Sequence, residues 1–123
     1  MQRDRATLVT AGALTVFGAF QTALAAGAPW GRLAYGGQRE GPLPAGLRRT
    51  SAGAAVAFGV GAGLLVRETR RPRVRRRALT GLCGAMAVGT VMNGISRSPA
   101  ERVWSPLCAV SAVAAWRARP PAD

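Results

Sequence analysis

Four stretches of the chain contain no charged residue, and the charges gather between them. Ala6 to Gly31, Thr50 to Val66, Ala78 to Ser96 and Val103 to Trp116 run for 26, 17, 19 and 14 residues without Asp, Glu, Arg or Lys. A helix on the surface of a soluble protein shows a polar face at 3.6-residue spacing. Ala52 to Val66, AGAAVAFGVGAGLLV, has no such face, and Leu82 to Met92 has none apart from Thr90. Helices apolar all round belong in lipid or in the core of a much larger protein, and 123 residues make one domain at most. Crossing a hydrocarbon core about 30 Å thick takes roughly 20 helical residues. The first window is ample and the third is about right. The second suffices if its helix starts near Pro44, leaving Arg48 and Arg49 at the interface. The short fourth is extended by Ser98-Pro99-Ala100-Glu101, an N-cap serine, a proline at the first helical position and a glutamate at the third. Pro106 should bend that helix by removing one backbone hydrogen bond. The pattern therefore predicts an all-α fold, an integral membrane bundle of four transmembrane helices. The helices span about 6–28, 44–67, 78–96 and 99–118 of a single membrane domain, 1–123, with an outer loop at 29–43 and a basic inner loop at 67–77.

Charge then sets the orientation. All 17 basic residues are arginine, against 5 acidic ones, for a net charge of +12. The arginine, alanine, glycine and proline bias fits a GC-rich bacterial genome. Mean hydropathy is only +0.13 because alanine and glycine fill the helices and arginine the loops. Seven of the eleven residues from Arg67 to Arg77 are arginine. Placing them inside puts both termini inside, with 11 arginines within and 6 outside. The expected location is the bacterial cytoplasmic membrane, multi-pass, with both termini cytoplasmic. The first apolar run, ending Ala23-Leu24-Ala25, also fits a cleavable signal peptide. It is longer than the usual apolar core of one, so a retained helix is expected.

Small residues recur at every fourth position: Ala11, Thr15, Ala19, Ala23 and Gly27; Ser51, Ala55, Gly59 and Gly63; Gly81, Ala85 and Gly89, ending at Asn93. Such stripes let helix backbones approach closely in lipid. Ala19, Ala23, Gly59, Gly63, Gly81, Ala85 and Gly89 are thus the expected packing positions, within one chain or between chains. The amides Gln21 and Asn93 are expected to hydrogen-bond between helices. Trp104 and Trp116 should mark the two interfaces. Cys83 and Cys108 fall at separate depths on antiparallel helices, too far apart for a disulfide, and read as small apolar core residues.

Little remains for catalysis. There is no histidine, every carboxylate lies in a loop or at a helix end, and two cysteines are too few for a zinc site. No catalytic, cofactor or metal residue is assigned, and no enzyme is expected. The 67–77 arginines are read as an orientation signal that attracts anionic lipid headgroups, at roughly 1 kcal/mol per basic residue near the surface, rather than as a nucleic-acid site.

Gly27-Ala28-Pro29-Trp30-Gly31, Tyr35-Gly36-Gly37 and Leu43-Pro44 resemble the first outer loop of small four-helix bacterial membrane proteins of unknown function. Asn93, Ser96-Arg97-Ser98, Glu101-Arg102 and Trp104-Ser105-Pro106 resemble the connection before their last helix. The likeness implies the four-helix architecture and transfers no activity. Both stretches fall on the outer side, where Trp30, Tyr35, Asn93, Arg97 and Glu101 are expected to form a cap over the bundle. The leading expectation is a structural or accessory role, with the bundle packing on itself or on a membrane partner. The alternative is an oligomeric transporter or channel for a small solute, with Gln21 and Asn93 lining a path. A continuous polar cavity across the bilayer distinguishes the second from the first.

Overall fold

The computed structural model describes residues 2–67 and 71–122, with side chains from Asp4 onward. Within these the chain forms α1 (Gln2–Ala26), α2 (Ala45–Val66), α3 (Pro72–Gly94), α4 (Pro99–Arg102) and α5 (Trp104–Arg117), with one 3₁₀ turn at Gly31–Leu33. No strand occurs among the described residues, so the all-α expectation holds.

Two expected boundaries move. The third helix starts at Pro72 rather than near residue 78, because proline suits a first helical position and arginine is a good helix former. Most of the expected basic loop is therefore helical, while Glu68 to Arg70 lie outside the described residues. The fourth helix is interrupted at Val103, between α4 and α5. Pro106 has no N–H for the Arg102 carbonyl, which would be its helical partner. Val103 keeps helical angles, φ −59° and ψ −25°, so α4 and α5 follow one course.

Helix α1 lies along α2, α3 lies along α5, and α1 also meets α5. Gly18 faces Phe58 while Leu14 faces Gly61, and Gly89 faces Cys108 while Gly94 faces Ser105, so both pairs run antiparallel. The inward positions include Ala6, Thr10, Ala13, Phe17 and Leu24 on α1, with Ala11, Leu14 and Gly18 buried beside them, and Ser51, Ala55, Phe58, Ala62 and Leu65 on α2. Leu79, Leu82, Met86, Gly89 and Asn93 face inward on α3, and Trp104, Cys108, Ser111 and Ala115 on α5, running on to Ala118. On α2, α3 and α5 these series step by three and four residues in alternation, the 3.5-residue mean of knobs-into-holes packing, whereas α1 buries a broader face. Three small apolar clusters stack along the bundle. Ala6, Leu79, Ala115 and Ala118 close the end that holds the termini; Phe17, Met86, Cys108 and Ala112 fill the middle; Leu24, Ala34 and Leu43 fill the long-loop end.

Arginines fasten the helix ends. Arg48 Nε donates to the Ala25 carbonyl at 3.0 Å, capping α1 from α2. Arg75 donates to the Leu65 carbonyl at 3.4 Å and to Thr7 Oγ1 at 3.0 Å, joining α3 to α2 and α1. Arg119 bonds the Trp116 carbonyl at 3.1 Å and Thr80 Oγ1 at 3.2 Å. Each satisfies a terminal carbonyl that its helix leaves open.

The outer surface is apolar and large. Asp4–Ala26 and Ala45–Val66 are each long and apolar enough to cross a membrane; in the second only 6% of the most apolar 18-residue window is buried. Val56, Val60 and Leu64 face outward along α2. The total surface is 7839 Å², against about 6,200 Å² for a soluble monomer of this mass. Thr10, Thr15, Thr22, Thr80, Thr90 and Ser111 each donate to the carbonyl four residues back, at 2.7–2.8 Å. Their polarity is thereby turned onto their own helices.

Candidate functional site

At the long-loop end side-chain hydrogen bonds join segments far apart in the chain. Residues 27–44 fold back on themselves there, with Gly31 N donating to the Gly41 carbonyl at 3.0 Å. Tyr35, Gly36 and Gly37 are successive left-handed residues, φ 49°, 87° and 67°. A tyrosine there is uncommon, and its hydroxyl meets Ser51 Oγ at 3.0 Å on the first turns of α2.

This loop is bonded to the turn before α5. Ser98 Oγ donates to the Arg32 carbonyl at 3.0 Å, and Glu101 N reaches Ser98 Oγ at 3.4 Å as the helix cap requires. A full capping box would return the Glu101 carboxylate to the Ser98 N–H. Instead Glu101 Oε1 accepts from Gly36 N at 3.0 Å and Oε2 from Ser96 Oγ at 2.5 Å. The Trp104 indole donates to the Leu33 carbonyl at 2.9 Å. Approach at Gly37 is so close that a Cβ there would lie 2.3 Å from Ser98 Oγ.

Aromatic rings continue the connection into the core. Trp30 stacks on Phe20 with centroids 6.1 Å apart, and Phe20 lies 4.4 Å from Trp104. Trp104 is 5.8 Å from Phe17, which stacks on Phe58 at 5.5 Å. The string runs from the loop through α1 and α5 to α2. Beside it opens a cavity of about 220 Å³, reached by Phe17, Phe20, Gln21, Tyr35, Phe58, Asn93, Glu101, Trp104 and Cys108.

The expected cap residues are therefore unequal. Tyr35, Asn93 and Glu101 line one cavity, and Trp30 joins them through Phe20. Arg97 is exposed and does not line it. Asn93 Nδ2 donates to the Gly89 carbonyl of its own helix at 2.7 Å and, between helices as expected, reaches Cys108 Sγ on α5 at 3.9 Å. Gln21 Oε1 is buried with no donor among the described residues. Trp104 is half-buried within the bundle, whereas Trp116 is exposed under the Arg119 guanidinium. Cys108 is buried, Cys83 half-buried, and both are free thiols.

The packing stripes also divide. Gly89 faces Cys108, whose Sγ lies 3.2 Å from where a Cβ would stand, and Ala23 is half-buried. Within the chain Gly59, Gly63 and Gly81 point into open space, and Ala19 and Ala85 are exposed. A strict four-residue stripe drifts about 40° around a helix at each repeat, so it leaves a seam that alternates threes and fours. Gly18, absent from the stripes, is buried instead, with Phe58 Cβ at 3.4 Å and the Gly59 nitrogen at 3.8 Å from its own Cβ position. Sequence reasoning also passed over Phe17 and Phe20, though their three-residue spacing puts both rings on one helix face.

Compared with known proteins, the chain matches no family model, no curated protein and no solved structure.

Proposed function

We propose that the chain is a multi-pass protein of a bacterial cytoplasmic membrane, crossing four times with both termini inside. Its role in this reading is structural or accessory and non-catalytic, the bundle packing on itself or on a membrane partner. One observation carries the reading: α2 turns a continuous apolar face outward, with only 6% of its most apolar window buried, while helical hydroxyls bond their own backbones. Water opposes an exposed apolar face of that length, whereas lipid accepts it, and the internally bonded hydroxyls are compatible with lipid. Outward Gly59 and Gly63 leave α2 a smooth strip on which a second helix could pack. The 67–77 arginines face anionic headgroups in this arrangement. Kinship with small four-helix bacterial membrane proteins belongs to the same proposal. It rests on the likeness of those two stretches, which meet in this fold where Gly36 N donates to Glu101 Oε1.

A second reading, a small-solute transporter, draws on one observation: Gln21 and Asn93 line a common cavity. Against it, that cavity belongs to the long-loop half, and apolar side chains close the other end. Reporter fusions after Ala118 and within residues 38–41 should read inside and outside respectively. An external C-terminus means that α4 and α5 fail to span, and four crossings are then wrong. Solute release from protein-containing vesicles, above that from empty ones, would overturn the structural role in favour of the second reading.

A further inference from the structure

The cavity at the long-loop end has a composition unlike the rest of the molecule. It is lined by five of the chain's seven aromatic side chains, all three phenylalanines among them. Among the described residues no arginine lines it, yet the carboxylate of Glu101 does. Glu101 accepts one hydrogen bond on each oxygen, which leaves lone pairs free for a further donor. Gln21 Oε1 is buried without any donor. The arginines next in the chain to cavity residues have other employment: Arg102, beside Glu101, donates to the Ser96 carbonyl, and Arg32, beside Leu33, pairs with Glu40.

We propose that this cavity binds a small protonated amine with a hydrocarbon body. Aromatic faces carry negative potential and attract cations, most strongly where water is excluded. The Glu101 carboxylate supplies the countercharge, and the Gln21 carbonyl accepts an N–H, which a quaternary ammonium could not offer. An anion would meet a carboxylate with no arginine to offset it. A neutral alcohol could satisfy Gln21 but would gain nothing from the charge of Glu101. At about 220 Å³, the space is below the roughly 300–1,000 Å³ of drug-sized sites, so the ligand is a single small ring or short branched chain. The same chemistry is offered by a free amine and by the ethanolamine headgroup of a lipid. The inference does not depend on which way the chain crosses the bilayer.

Calorimetry on the purified full chain in a detergent without amines tests it, using benzylammonium as the probe and benzyl alcohol as its neutral counterpart. Benzylammonium should bind at least tenfold more tightly than the alcohol. Glu101→Gln, which keeps an acceptor for the Gly36 N–H, should weaken the amine at least tenfold and leave the alcohol unchanged. Gln21→Leu should weaken benzylammonium more than its N-trimethyl analogue. Asp4→Asn, in the first turn of α1 at the opposite end of the bundle, should change nothing. Far-ultraviolet circular dichroism of each variant confirms folding, and should Glu101→Gln unfold, the Gln21→Leu comparison decides. Equal affinity for amine and alcohol, or amine binding indifferent to both substitutions, overturns the proposal. In nanodiscs, competition from phosphatidylethanolamine but not phosphatidylcholine makes the headgroup the source, and benzylammonium binding unaffected by either makes it a free amine.

Discussion

At Gly37 the fold places two demands on one residue. Its φ of +67° favours glycine, and the Ser98 side chain occupies the place of any Cβ. Neighbouring Gly36, at φ +87°, meets only the first demand, since nothing lies within 4 Å of its Cβ position. Left-handed strain alone costs of order 1–3 kcal/mol, and overpacking adds about as much again. Gly37→Ala should therefore lower the thermal midpoint in detergent clearly more than Gly36→Ala. Equal losses would mean that loop conformation, and not the contact with Ser98, fixes this end. A Gly-Gly pair is turn chemistry by itself, but the partner of Gly37 is not marked in the sequence. Ser98 is 61 residues further along the chain, and no local pattern reports a contact at that separation. The same holds for Glu101, which reads as a capping-box residue and becomes the acceptor for Gly36.

Helices show a different division between what sequence reveals and what it hides. Their existence follows from uncharged windows, and α1 and α2 begin and end within a few residues of expectation. Their facing sides do not follow, because glycine and alanine are so common that several stripes can be drawn. Bulky residues mark the seam better: Phe17 on α1, Phe58 on α2, Met86 on α3 and Trp104 on α5 all lie on the alternating three-and-four path. That path makes Gly18 a contact and Gly59 an outward position. Gly18→Leu should cost about 1–3 kcal/mol in detergent by forcing α1 from α2, whereas Gly59→Leu should stay within about 0.5 kcal/mol, as surface changes do. Chemical denaturation of the two variants checks the order. If Gly59→Leu leaves stability intact but shifts oligomer size, the outward strip packs between copies.

Across the molecule, α2 is attached chiefly to α1, while α3 and α5 form the opposing pair. Between α2 and α3 an apolar gap of about 360 Å³ opens, edged by Leu14, Leu64, Leu79 and Leu82. At the terminal end of that gap Arg75 bonds α3 to the Leu65 carbonyl and to Thr7. Hydrogen bonds to charged groups contribute about 1.5–3 kcal/mol each at best, less where water reaches them. Arg75→Ala should therefore speed amide exchange at the end of α2, while Arg49→Ala, exposed on the same helix, should not. Uniform exchange in both variants would show that α2 is held by its seam with α1 alone. The one-sided attachment of α2 also bears on how the sequence can drift over generations. Ser51, Ala55, Phe58, Gly61, Ala62 and Leu65 meet neighbours along its length, and Leu47 and Arg48 do so at its start. Intervening positions need only remain apolar and helical, so lineages can exchange Val, Leu, Ala and Ile there freely. Relatives should thus diverge fastest on the face of α2 turned away from α1, while the contacting positions change slowly or in concert with α1.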